Sequence, residues 1–318
     1  MFTILRQAYR RTAQNWQIVL VIFLVNFTLG LIIAFPSFSI IKAESEQSLA
    51  FEKLLTDFDF TIFYDFMHKN GKSLISIMPV SLLLAGLYTL LNIFFSGGIL
   101  SQFTIRDTFK LSEFLKNSWH YFLRFFMLFL IQLISLILGF IAILTVFGIF
   151  GVLVEGKTEP TFVAWMIFPS TFAFFIITFL LNVGDYARVL LHRDDLLNPW
   201  KAFWKATEYI FRNFKTMQVY WAIVVVGFAL ILVYLLLEST IGMTSGFKIW
   251  LMFVIQQFFI FCRIFIRTWN LSNAFDFVSL RPIPLTTKSI IIETIIKEEV
   301  SQETQTNEKH DSESKLSE

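Results

Sequence analysis

Five stretches of this chain, 12–41, 73–105, 125–154, 160–184 and 216–237, contain no Asp, Glu, Lys or Arg. A helix needs about 20 mostly apolar residues to cross a bilayer, and each run is long enough. A sixth run, 249–262, is bounded by Lys248 and Arg263. It becomes a span if the flanking charges reach the interface or if Arg263 faces the protein interior. The spacing predicts six transmembrane helices near 16–36, 74–96, 125–150, 162–184, 216–237 and 248–268 within a membrane domain over 1–280.

Composition points the same way. Of 318 residues, 56% are hydrophobic and 16% charged, and the 40 Phe outnumber the 24 acidic residues. A soluble fold of this size has no interior large enough for that much apolar surface. A transmembrane β-barrel alternates apolar and polar residues over about ten positions. Runs such as Phe125-Phe126-Met127-Leu128-Phe129-Leu130 do not alternate, so the fold class is all-α and polytopic. The first apolar run is a full span and ends at Phe35-Pro36 without a small-x-small cleavage pattern, so it reads as a retained helix rather than a signal peptide.

Lys and Arg set the orientation. With the N-terminus inside, 20 of the 26 basic residues fall on the inner side of the six spans. Both termini are therefore expected in the cytoplasm, and the basic side is expected to face anionic headgroups.

The same pattern contains a repeat. Asn198-Pro199 is a helix start, and the following residues place Lys201, Lys205, Glu208 and Arg212 on one stripe and Trp200, Phe203, Trp204 and Phe211 elsewhere. Glu113, Lys116, His120 and Arg124 form a similar stripe before the third span, and Arg6 and Arg10 a shorter one before the first. This predicts three helical hairpins, each preceded by a cytoplasmic amphipathic interfacial helix.

The first outer loop, 37–73, is long and carries Glu44, Glu46, Glu52, Asp57, Asp59 and Asp65 among many Leu and Phe. Two short surface helices are expected there, one capped by Asp59 and stopped at Asn70-Gly71. Residues 281–300 are an Ile-rich short cytoplasmic element, and the polar stretch 301–318 has the composition of a disordered tail.

Motifs of catalysis are missing from the sequence. The four His lie in separate segments, the lone Cys262 has no partner for a metal site, and no nucleophile elbow or phosphate loop occurs. No enzyme activity, cofactor or metal is expected, and a net charge of +2 gives no reason to invoke nucleic acid. Gly97-Gly98 reads as a helix exit. Asn26, Asn92 and Gln132 read as interhelical contacts, as do the small pairs Ser81/Ala85 and Ser135/Gly139. Charges within spans are expensive and point to function. Arg263 and Arg267 share a face near the inner end of span six, and Asp185 and Arg188 end span four. These four form a candidate anionic-ligand or coupling cluster.

The segments EFLKNSWHYFLRFF (113–126) and KAFWKATEYIFRNF (201–214), each running into a span, resemble a broad bacterial group of six-helix membrane proteins. That group includes the membrane domains attached to some glycerophosphodiester phosphodiesterases. The resemblance covers about 1–280 and implies a bacterial cytoplasmic membrane. The phosphodiesterase domain has no counterpart here, so that activity does not carry over. The inner loop 185–215 also lacks the coupling motif of permease subunits of ATP-driven importers. The leading expectation is a non-enzymatic scaffold or assembly factor with a membrane-protein partner. The alternative is a transporter or lipid-handling protein that uses the Asp/Arg cluster, with anionic lipids as partners.

Overall fold

The computed structural model describes residues 2–45, 59–104, 109–241 and 245–280. The Ile-rich element 281–300, the tail 301–318 and the middle of the outer loop, 46–58, lie outside the described residues. Eight helices follow in order: α1 (Phe2–Gln14), α2 (Trp16–Ser45), α3 (Phe60–Thr104), α4 (Leu111–Val154), α5 (Glu159–Arg193), α6 (Pro199–Arg212), α7 (Lys215–Ile241) and α8 (Gly246–Leu280). No strand occurs among the described residues. Contacts gather Met1–Ser279 into one compact unit, and the second unit, Leu280–Glu318, lies almost wholly outside the described residues.

Six helices, α2, α3, α4, α5, α7 and α8, are long and apolar enough to cross a membrane. In the most apolar window of each, only 11–17% of residues are buried. Leu82, Leu83 and Val152 are each more than two-thirds exposed. Side chains of this kind facing outward along six helices require an apolar solvent, which is the bilayer.

Packing is tightest along α3, α4 and α5. Gly97 and Gly98 are not a helix exit. They lie inside α3 where it presses on α4, and a Cβ built on Gly98 falls 2.5 Å from the Phe114 ring and against Ser118 Oγ. Gly139 of α4 meets Leu180 of α5 in the same way, with 2.6 Å from an added Cβ to Leu180 Cδ1. Small residues let these helices approach closely. Gln132 of α4 donates to the Leu180 carbonyl at 2.8 Å, so its expected interhelical contact is present. Ser135 instead bonds within its own helix, to the Ile131 carbonyl, and Ala85 is exposed.

Asn198 caps α6 as expected, with its side chain accepting from the Trp200 and Lys201 amides. Three stripes run along α6. Ala202, Ala206, Tyr209 and Ile210 are buried, Trp200, Trp204 and Phe211 are exposed, and Lys201, Lys205, Glu208 and Arg212 carry charge. The first turns of α4 show the same rotational order: Leu115 and Trp119 exposed, Glu113, Lys116 and Arg124 charged, Phe114, Ser118 and Phe125 buried.

Two of the expected leading helices are separate elements and one is not. α1 breaks from α2 at Asn15, whose side chain donates to the Arg11 carbonyl at 2.9 Å. α6 breaks from α7 at Asn213, whose side chain donates to the Tyr209 carbonyl at 3.1 Å. The same contact occurs at Asn92 and Asn273 inside unbroken helices, so the folded-back amide marks the two breaks without being sufficient to cause them. Aligning Tyr121-Phe122-Leu123-Arg124 on Tyr209-Ile210-Phe211-Arg212 places Phe125 where Asn213 stands. Phe125 is buried, and α4 continues unbroken from Leu111 to Val154.

The outer segment also differs from expectation. Asp59 accepts from the Thr61 amide at 2.8 Å and caps the helix, but that helix does not stop at Asn70-Gly71. It continues as α3. Gly71 does not take the left-handed conformation that a glycine stop uses. One glycine in a helix interior costs only about 1 kcal/mol, which a helix this long absorbs. Pro79 and Pro169 likewise lie inside α3 and α5 without ending them.

Candidate functional site

Polar side chains inside the spans converge on one cavity. Ile22 and Asn26 of α2, Tyr88 and Asn92 of α3, Asp185 and Arg188 of α5, and Arg263 and Arg267 of α8 line it, around a volume of about 140 Å³. The four residues singled out in the sequence as a cluster are thus brought together, although α5 and α8 are far apart in the chain.

The positions follow from helix geometry. At a rise of about 1.5 Å per residue, Arg263 lies about 25 Å along α8 from Gly246, and Arg267 about 6 Å further on. Asp185 lies within the last three turns of α5, which ends at Arg193. The cluster therefore sits toward the end of the bundle where α5 ends and α7 begins. This is also the end to which most Lys and Arg of the loops belong.

Asp185 is the hub. Its Oδ1 accepts from Arg188 at 2.8 Å on the same helix, and its Oδ2 accepts from Asn270 Nδ2 at 2.7 Å across to α8. Both carboxylate oxygens are committed. Arg267 turns toward α3 instead, where it donates to Asn92 Oδ1. Asn92 is held for this role because its Nδ2 donates to the Tyr88 carbonyl at 2.7 Å, which leaves its oxygen toward Arg267. Among the described residues, Arg263 makes no hydrogen bond or ion pair.

The cavity thus holds three guanidinium groups and one carboxylate. Asp185 bonds to Arg188 and also attracts Arg267. Arg267 is hydrogen-bonded only to a neutral amide, and Arg263 to no protein group described. An arginine at mid-bilayer costs roughly 3 kcal/mol on insertion scales, and less toward the interface. The net positive charge left in the cavity is therefore costly, and an anion bound there would offset it. A guanidinium carries five N–H donors in a planar fork suited to phosphate or carboxylate. Arg267 spends one of these on Asn92, so further donors remain for such a ligand.

Sequence reasoning missed Asn270 and gave Asn92 the plainer role of interhelical contact. Asn270 lies three residues after Arg267, on the same face of α8, and that spacing is the signal that was available. Asn26 lines the cavity from α2. Gln256 and Gln257, on the same helix as the arginines, do not line it.

A second polar cluster lies near the end of α5. Ser101 Oγ and His192 Nε2 are 3.2 Å apart, and the His192 ring packs on Tyr121 at 4.7 Å. Ser101 is buried, and His192 Nδ1 has no hydrogen-bond partner. The pair ties the end of α5 to α3, and the ring contact with Tyr121 ties it to α4.

No family model matches the chain, and neither a curated protein nor a solved structure matches it.

Proposed function

We propose that this chain is a multi-pass protein of a bacterial cytoplasmic membrane, with both termini in the cytoplasm, that binds an anionic headgroup in the cavity between α2, α3, α5 and α8 and carries out no catalysis. One observation carries the reading: the cavity gathers Arg188, Arg263 and Arg267 around a single carboxylate, Asp185, whose oxygens are already committed. The shared chemistry is a phosphate or carboxylate monoanion or dianion, bound by charge-assisted hydrogen bonds. The distribution of Lys and Arg supports the orientation. The exposed Trp200, Trp204 and Phe211 beside a charged stripe support α6 as a helix lying in the inner interface. The first turns of α4 share its order of faces and extend the same role.

A scaffold or assembly factor with a membrane-protein partner is the second reading. A stoichiometric protein that co-purifies in mild detergent, without bound anionic lipid, would favour it.

The test is thermal stability of the full chain in a neutral detergent with sn-glycerol 3-phosphate or inorganic phosphate. A ligand at a hundredfold its Kd stabilises by about 2.7 kcal/mol, which raises Tm by several degrees. Arg267→Gln is expected to insert and fold, and to lose the shift. Phosphate that acts no differently from chloride on the wild type would overturn the proposal.

A further inference from the structure

α1 lies along α8 just beyond the cavity, on the side of the basic surface. Its contacts step along the two helices together. Trp269 donates to the Leu5 carbonyl, Ser272 donates to the Ala8 carbonyl, and Arg11 pairs with Asp276. Arg267 of the cavity precedes Asp276 on α8 by about 13 Å of helix. α1 therefore flanks the stretch of α8 that separates the cavity from the basic surface.

That stretch is closed in this conformation. Ile99 and Leu271 line the cavity on this side and are buried. Further toward the basic end the rings of Phe103 and Phe275 meet at 6.1 Å, and Ala8, Thr12 and Ile18 are wholly buried. The opposite end of the cavity gives no aqueous route. Tyr88 lines it there and is 40% exposed. It lies about 24 Å of helix from Thr104, near mid-membrane, where the surroundings are hydrocarbon. A phosphate ion does not travel through hydrocarbon, so its way to the arginines runs past α1.

The clasp that holds α1 is poorly satisfied. Arg11 Nη1, Asn273 Oδ1 and Asp276 Oδ2 are buried without a hydrogen-bond partner among the described residues. They are three of the five such atoms described, so the defect is concentrated at this junction. Neighbouring groups are spent within their own helices. The Thr12 hydroxyl donates to the Ala8 carbonyl at 3.0 Å, and the Asn273 amide donates to the Trp269 carbonyl at 3.0 Å. Buried polar atoms left unpaired are costly, and water satisfies all three once α1 moves away. A joint for that movement exists at Asn15, the single residue between α1 and α2. Arg6 and Arg10 are already exposed, and they hold a released α1 at an anionic surface.

We infer that α1 is the cytoplasmic gate of the anion cavity. Docked on α8, it closes the cavity. Turned about Asn15, it lets phosphate pass between the cytoplasm and Arg267. The inference rests on the proposed anion site and adds the route to it.

A disulfide between α1 and α8 tests it. Ser272 Oγ lies 3.3 Å from the Ala8 carbonyl oxygen, so Ala8→Cys with Ser272→Cys, in a Cys262→Ser background, places two thiols on adjoining turns. The readout is exchange of radiolabelled inorganic phosphate on the full chain in neutral detergent. The reduced protein is expected to take up and release phosphate. Oxidised while empty, it is expected to take up none. Oxidised after loading, it is expected to keep its phosphate through gel filtration until a reductant is added. Exchange by the oxidised protein at the reduced protein's rate would overturn the gate and leave the anion site standing. Loss of phosphate from the loaded, oxidised protein would also overturn it, because a distorted cavity loses its ligand whichever order is used. If the reduced protein binds no phosphate, and Arg267→Gln is indistinguishable from it, the anion site itself fails.

A second set of variants needs no cross-link. Asp276→Asn weakens the clasp and is expected to speed phosphate exchange about tenfold. Arg11→Met with Asp276→Leu keeps α1 docked through apolar contact and is expected to slow it. Equal exchange rates in the wild type and both variants would overturn the inference.

Discussion

Arg11 of α1 and Asp276 of α8 form an ion pair at 2.8 Å, and the Asp276 side chain is only 2% exposed. The first helix is thereby fastened to the end of the last. Trp269 donates to the Leu5 carbonyl at 3.1 Å, Ser272 to the Ala8 carbonyl at 3.3 Å, and the Arg11 guanidinium sits 5.0 Å from the centre of the Phe275 ring. α8 is thus held between α1 at one end and the cavity residues on its flank.

Removing one partner of a buried pair leaves a buried charge uncompensated. Asp276→Asn is expected to destabilise the protein in detergent by about 3 kcal/mol, the low end for such a break, because Arg11 keeps 20% exposure. Arg11→Met with Asp276→Leu is expected to recover most of that loss. Thermal unfolding of the single and double variants checks this, and a double variant as unstable as the single would contradict it.

The contact between α3 and α4 depends on a missing side chain. Gly98→Ala forces the Phe114 ring or the Ser118 side chain to move, and overpacking of this kind costs about 1–3 kcal/mol. Gly86→Ala, with nothing within 4 Å of the new Cβ, is expected to be neutral or slightly stabilising. Unequal Tm changes in the two variants are the readout.

Asn198 provides the N-cap of α6. Asn198→Ala is expected to cost about 1 kcal/mol, and Asn198→Asp to cost little. Hydrogen exchange is expected to accelerate locally at Trp200 and Lys201, whose amides lose their acceptor, while α5 and α7 stay protected.

Orientation yields a labelling prediction. In a Cys262→Ser background, a cysteine at Lys157 is expected to react with an impermeant maleimide on intact spheroplasts. A cysteine at Lys201 is expected to react only after the membrane is opened. The reverse pattern would invert the topology and place the cavity toward the opposite leaflet.

Charge-free runs predicted the six spans because insertion into hydrocarbon is a composition problem, and composition is local. Where helices break was harder to read. The sequence presents α1, α6 and the first turns of α4 as three equivalents, yet α1 and α6 end at Asn15 and Asn213 while α4 runs on as a single helix. Asn70-Gly71 carries the lettering of a stop, but a local signal worth about 1 kcal/mol does not end a helix whose neighbours on both sides are helical. Gly97-Gly98 was misread because close packing against α4 is a tertiary fact with no local signature.

The candidate site was found in sequence by its cost. Arg263, Arg267, Asp185 and Arg188 stood out because charges in spans are rare. Their partners did not. Asn92 and Asn270 are ordinary amides until the fold sets them against Arg267 and Asp185. Asp276 lay beyond the predicted end of span six, and only the docking of α1 reveals its role.

A structure of the full chain in nanodiscs containing dioleoyl phosphatidylglycerol would show what Arg263 and Arg267 hold. The account predicts a phosphate within hydrogen-bond distance of both guanidinium groups, with Arg267 still bonded to Asn92. A cavity containing only water, with Arg263 turned out to the membrane surface, would contradict it.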